Sequence, residues 1–171
     1  ISHACRLLSA TGLAFKFDQQ FAGFEHFGKS GSSLPDKTIA AVQGADAVLF
    51  GAVTTPPHIA GYRSPILQLR KTLGLYANLR PIISLPIPES RKDLNFYIVR
   101  ENTEDLYSGI EEEISDGFVA HRVITRSASA RIITFTFELA QKHNKKLVTV
   151  VHKANVLRKT DGLFLAVAAE V

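Results

Sequence analysis

The sequence predicts an α/β fold, and three observations carry that prediction. Apolar runs of strand length alternate with amphipathic helical stretches. Two of the runs, 45–53 and 147–151, are apolar but for Asp46 and Thr149, as strands buried on both faces of a parallel sheet are. Glycine and proline punctuate the joints between elements.

Taken in order, residues 1–10 read as the later turns of a helix stopped by Gly12. A strand follows over 14–17, then a glycine- and serine-rich loop over 28–33 and a helix over 35–43. The run 45–53 is bounded by Gly44 and by the break Thr54-Thr55-Pro56-Pro57, which suits a buried strand. Ser64-Pro65 reads as an N-cap with proline at the first helical position, and Ile66, Leu69 and Leu73 then recur at helical spacing up to Gly74. An extended stretch over 76–83 leads into the proline-punctuated connection 86–92, the expected crossover or hinge. Domain organisation is therefore expected as 1–85 and 86–171.

The second part opens with a strand over 95–101, then an acidic loop or hairpin over 111–117 and an alternating strand over 118–126. Residues 127–142 form an amphipathic helix with Ile132, Ile133, Phe137 and Ala140 on one stripe. The strand 147–151 runs directly into His152-Lys153, and a last helix begins at 161. With no methionine anywhere and a helix still running at Val171, a missing amino-terminal strand and a missing carboxy-terminal portion are expected.

With 171 residues, 46% of them hydrophobic and 21% charged, the chain can bury a core in one domain or in two incomplete ones. Its apolar runs fall far short of the roughly 20 residues that span a bilayer, and no basic-then-apolar segment opens it. A single cysteine, Cys5, excludes an internal disulfide framework and fits a reducing compartment, cytoplasmic or, in a eukaryote, the mitochondrial matrix. The net charge of +4 is spread among Asp and Glu, not gathered in tracts, so neither nucleic acid nor a membrane is expected as a partner.

Chemistry is expected where charge sits on an apolar background. Arg70, Arg80 and Arg100 each stand at an element end inside an apolar segment. Guanidinium groups are planar forks, and three converging would suit a substrate with several carboxylates; ordinary surface ion pairs are the competing reading. Tyr107 and Lys153 are the candidate proton-transfer groups, Lys153 because a lysine at a strand end is more readily desolvated. Each alone would more often be an ordinary tyrosine or surface lysine. His152 has no second histidine or cysteine at ligand spacing and reads as structural, and Glu111-Glu112-Glu113 reads as a solvated acidic run. Gly23, Gly28 and Gly31 do not form a dinucleotide fingerprint, and no P-loop occurs, so a Rossmann cofactor site is not supported.

Read together, five blocks resemble the β-decarboxylating dehydrogenases that act on isocitrate, homoisocitrate and 3-isopropylmalate. They are Leu49-Phe50-Gly51-Ala52-Val53-Thr54-Thr55-Pro56, Arg63-Ser64-Pro65-Ile66 with Leu69-Arg70-Lys71, Leu75-Tyr76-Ala77-Asn78-Leu79-Arg80-Pro81, the run 99–110, and His152-Lys153-Ala154-Asn155-Val156. The resemblance covers nearly the whole chain, as roughly the first half of a family member. It implies the isopropylmalate dehydrogenase-like two-domain fold, which is not a Rossmann fold, incomplete here at both ends. On that reading 1–85 is part of the large domain, and 86–171 is most of the small domain with dimerisation elements.

The resemblance also implies roles. Arg70, Arg80 and Arg100 grip the substrate carboxylates, and Ser64 contacts the carboxylate whose size varies between substrates. Tyr107 protonates the enol after carbon dioxide leaves, and Lys153 assists removal of the hydroxyl proton. Asn155 lies near substrate and nicotinamide, and Thr55 at the nicotinamide end of the cofactor. The implied reaction is hydride transfer to NAD or NADP, then loss of the β-carboxylate, then protonation, with Mg or Mn as Lewis acid. The aspartates that hold the metal are expected downstream of Val171, so no metal ligand is expected in this segment. The lysine enters the site from a partner subunit, implying a homodimer or higher homo-oligomer, and the segment alone is expected to be inert.

Substrate choice divides the blocks. Ser64-Pro65-Ile66 resembles homoisocitrate enzymes, whereas Tyr107-Ser108-Gly109-Ile110-Glu111 and Lys159-Thr160-Asp161-Gly162-Leu163-Phe164 resemble isocitrate enzymes. Isocitrate is the expected substrate, homoisocitrate the alternative, and 3-isopropylmalate third. A non-catalytic regulatory subunit of an isocitrate dehydrogenase is the competing class, and retention of the arginines, Tyr107 and Lys153 argues against it.

Overall fold

The computed structural model describes every residue from Ile1 to Val171. Contacts divide it into two compact units, Ile1–Leu73 and Gly74–Val171. No helix is long and apolar enough to cross a membrane.

The first unit holds four helices: α1 (Ser2–Ala10), α2 (Phe24–Ser30), α3 (Asp36–Gln43) and α4 (Pro65–Thr72). Buried hydroxyls stitch them together. Thr38 Oγ1 donates to Phe21 O at 2.8 Å, Ser33 Oγ donates to Arg63 O at 2.5 Å, and Gln68 Nε2 donates to Ser33 Oγ at 2.9 Å. Phe24 and Phe27 meet Tyr62 edge-on, with centroids 5.7 and 5.2 Å away. These bonds fix the loop ahead of α4, so that Ser64 and Pro65 start that helix in a buried position.

The strands expected over 14–17 and 45–53 carry no ladder. A strand exists only through hydrogen bonds to a neighbour, and the unit supplies none; Val48 and Leu49 stay exposed. The apolar run 147–151 in the second unit behaves alike, with Leu147 80% and Val151 85% exposed.

The second unit is built on two antiparallel hairpins and two helices. β1 (Ala77–Ile83) pairs with β2 (Asn95–Glu101), from Ala77↔Glu101 to Ile83↔Asn95. The connection expected as a crossover, 86–92, is the tip of this hairpin. Ser84 closes it, its N–H donating to Leu94 O at 3.0 Å and its Oγ to Arg91 O at 2.6 Å. That pairing keeps β1 with the second unit, which is why the contact division falls at 73/74, ahead of β1, where sequence places a boundary at 85/86.

β3 (Glu111–Ile114) and β4 (Gly117–Ala120) form the second hairpin. The longer strand expected over 118–126 stops at Ala120, and beyond it only Val123 bridges, to Asp105. Helix α5 (Arg126–Lys142) is capped by Thr125, whose Oγ1 accepts from Ala128 N at 3.2 Å. Its buried Ala128, Ile132 and Ile133, with Val167 of α6 (Thr160–Glu170), form the unit's core. Because Ile132 is closely packed, Ile132→Ala is expected to cost about 2–5 kcal/mol, read from urea unfolding of the full-length protein. A loss below about 1 kcal/mol would show that this helix face is not core.

Candidate active site

Arg80 and Arg100 stand on the β1–β2 hairpin. Asn78 is opposite Arg100 and Arg80 is opposite Ile98, so Asn78, Arg80 and Arg100 project from one face of the ribbon. The two guanidiniums are diagonal neighbours, with backbones roughly 7–8 Å apart by strand geometry. Arg80 Nε donates to Asn78 Oδ1 at 3.2 Å. None of the chain's ion pairs uses Arg70, Arg80 or Arg100; they are made by Lys29, His121, Arg122, Arg126 and Arg131. The surface-ion-pair reading of the three arginines is thus not met. Two like charges side by side repel unless an anion joins them, so this face is suited to carboxylates.

Tyr107 returns beneath this face because the chain after β2 is pinned at every step. Glu101 accepts from Thr103 N, Glu104 N, Thr103 Oγ1 and Arg131 Nη2 at 2.7, 2.8, 2.6 and 2.8 Å. Glu104 accepts from Thr125 N and Oγ1 at 2.9 and 2.6 Å, tying the loop to the start of α5. Asp105, at φ 61°, turns the chain into a short 3₁₀ turn, Leu106–Ser108. The Arg100 guanidinium then lies 5.1 Å from the Tyr107 ring centroid.

Lys153 sits on an exposed coil, and its backbone N–H donates to Asp161 Oδ2 at 2.6 Å. Asn155 is exposed beside it, and His152 Nδ1 accepts locally from Ala154 N at 3.1 Å. In the first unit Ser64 occupies the N-cap of α4 but makes no capping hydrogen bond, Arg70 is half-buried on that helix, and Thr55 lies on an exposed coil. Within the second unit the structure therefore brings Arg80, Arg100 and Tyr107 together; Lys153 is joined to the Tyr107 turn through side chains that sequence reasoning did not single out. These are Asp105, Arg122 and Asp161; Asp105 and Asp161 lie in runs that carry the family resemblance and Arg122 in the expected strand 118–126, but none of them is given a role by sequence.

The acidic groups of this loop have a consequence for pH. Hydrogen bonds from Arg122, and its positive charge, outweigh partial burial and hold the Asp105 carboxyl below its ordinary value. Burial pushes Glu101 up, but hydrogen bonds from Thr103, Glu104 and Arg131 outweigh it and hold that carboxyl low as well. A carboxyl depressed by folding contributes stability that is present above its unfolded value, near pH 4, and lost as pH falls through the folded one. Stability is thus expected to fall below about pH 4.5, with a shallower acid slope in Asp105→Asn; thermal unfolding from about pH 7 to about pH 3 would measure it. Equal slopes in both proteins would remove Asp105 from the account.

Residues 3–171 match the family model described as isocitrate/isopropylmalate dehydrogenase. The chain is 45% identical to a homoisocitrate dehydrogenase of Methanocaldococcus jannaschii, across 100% of this chain and 53% of that protein. It is 48% identical to a 3-isopropylmalate dehydrogenase of Methanothermobacter thermautotrophicus, across 94% and 48%. A crystal structure of isocitrate dehydrogenase from Methylococcus capsulatus superposes with a TM-score of 0.92 at 41% identity, over 98% of this chain and 51% of that one. The chain spans about half the length of the curated relatives it matches.

Proposed function

We propose, from the premise that this chain belongs to the isocitrate/isopropylmalate dehydrogenase family, that the whole protein oxidatively decarboxylates isocitrate with NAD or NADP and Mg or Mn. The family is one of decarboxylating dehydrogenases, oxidoreductases that use NAD(P) and a divalent metal. The observation that carries the reading is the pair Arg80 and Arg100, unpaired by any carboxylate of the chain, on one face above Tyr107.

Arg80 and Arg100 bind substrate carboxylates as forks, and Arg70 adds a third. Ser64, its hydroxyl free of a capping bond, contacts the variable carboxylate. Tyr107 Oη donates a proton to carbon after carbon dioxide leaves, its ring held beside the Arg100 guanidinium. Lys153 Nζ, entering from the partner subunit, takes up the hydroxyl proton, with Asn155 nearby. The bound cofactor supplies a hydride acceptor and the metal a Lewis acid. No group of three His, Cys, Asp or Glu side chains in this chain could hold a metal ion, and Thr55 alone on an exposed coil is not a nucleotide cradle, so no step is routed through either. The protein works as a homodimer or higher homo-oligomer, with the exposed β3–β4 hairpin as a dimerisation element.

Homoisocitrate is the second reading, favoured by Ile66 two positions after Ser64 and by the homoisocitrate dehydrogenase relative. The test is steady-state NAD(P)H production by the full-length protein with Mn, offering isocitrate, homoisocitrate and 3-isopropylmalate with each cofactor. Preference for isocitrate supports the reading, preference for another acid replaces it, and no turnover with any acid moves the protein to a regulatory role.

A further inference from the structure

We infer that Asp161 and Arg122 are positioning residues that tie the Lys153 loop, whose lysine enters the partner subunit's site, to the turn that carries Tyr107 in this chain's own site; the inference rests on the functional reading above. The Asp161 side chain is 10% exposed and sits in the first turn of α6. Its Oδ2 accepts the Lys153 backbone N–H at 2.6 Å, and its Oδ1 faces Arg122 Nη1 at 3.4 Å. The same guanidinium forks onto Asp105, Nε to Oδ1 at 2.5 Å and Nη2 to Oδ2 at 3.0 Å. Asp105 is the residue whose turn launches Tyr107, and its own N–H donates to Val123 O at 2.9 Å, one residue beyond Arg122.

One cation therefore spans two carboxylates, and each carboxylate governs the backbone that presents a proton-transfer group. Three charge-assisted contacts in a row make a stiffer connection than a lone surface pair, because a bidentate fork fixes orientation as well as distance. Arg122 is thereby committed, in contrast to Arg80 and Arg100, which make no ion pair, although Arg100 is near enough to act on Asp105 through space. Near Lys153 the chain has no ladder to define it: residues 147–153 are coil, Lys153 O accepts from Val156 N at 3.0 Å and Leu157 N at 2.9 Å, and Leu157 O accepts from Asp161 N at 3.0 Å, so only successive turns carry the backbone on to α6. Asp161 is thus the anchor that ties the Lys153 amide to α6, and Arg122 the tie from there to Asp105.

The experiment is a double-mutant cycle on the full-length protein, with kcat and KM measured in Asp161→Ala, Lys153→Met and the double variant. Displacement of a reacting group by about 1 Å costs up to ~100-fold, so Asp161→Ala is expected to lower kcat ~10–100-fold while KM for the acid changes less than about 3-fold. In the Lys153→Met background the same change should cost less than about 2-fold, since nothing remains to be positioned. A merely stabilising role would give the same loss in both backgrounds, and that result, or no loss in either, overturns the inference. Should Asp161→Ala fail to fold, Asp161→Asn keeps the shape and one acceptor oxygen but loses the ion pair. It is expected to cost ~3–10-fold with the same non-additivity, and additivity there overturns the inference equally. If Lys153→Met alone leaves kcat unchanged, the functional reading of Lys153 falls and takes this one with it; a large Lys153 effect with additive Asp161 loss removes only the positioning role.

Discussion

Replacing Lys153 with Met in the full-length protein is expected to lower kcat by about 10²–10⁴-fold, the range for a positioned general base. Stability should hardly change, because Lys153 is exposed and makes no ion pair. Arginine should not rescue the rate, since a guanidinium keeps its proton throughout the working pH range. Steady-state kinetics beside thermal unfolding checks both halves. A rate loss matched by a large fall in melting temperature would mean that the lysine supports the fold.

Arg100→Lys should act mainly on substrate binding, with a loss of ~10–100-fold in kcat/KM. It preserves the charge and removes the fork, and a hydrogen bond to a charged group contributes about 1.5–3 kcal/mol. The contact with Tyr107 is kept in part, so kcat should fall less than KM rises. Arg126 is the internal comparison, since it is paired to Glu170 on the surface and its change to lysine should be close to neutral. Equal effects at Arg100 and Arg126 would count against a carboxylate-binding face.

Much of this was legible in the chain itself. Helix positions followed from spacing and caps: Pro65 opens α4, and the stripe Ile132, Ile133 marks the buried face of α5. Hydrophobicity predicts strands over 45–53 and 147–151, but a ladder needs a neighbour, which no run carries within itself. The connection 86–92 looked like a hinge because proline signals a break without saying whether the chain leaves or turns back; Ser84 decides that it turns back. At the site, residue type and resemblance pointed to Arg80, Arg100, Tyr107 and Lys153. That Arg80 and Arg100 share a face is a matter of register, and the Asp105, Arg122, Asp161 chain is a matter of tertiary placement, neither of which local sequence encodes.

Asp105 carries one more implication. Its backbone, at φ 61° and ψ −137°, lies where glycine rests comfortably and a side chain costs about 1–3 kcal/mol. Glycine would relax the turn but could not meet Arg122; aspartate meets Arg122 and strains the turn. No single amino acid satisfies both demands, so selection at this position settles for a compromise in which conformational ease is sacrificed to keep two distant loops in touch.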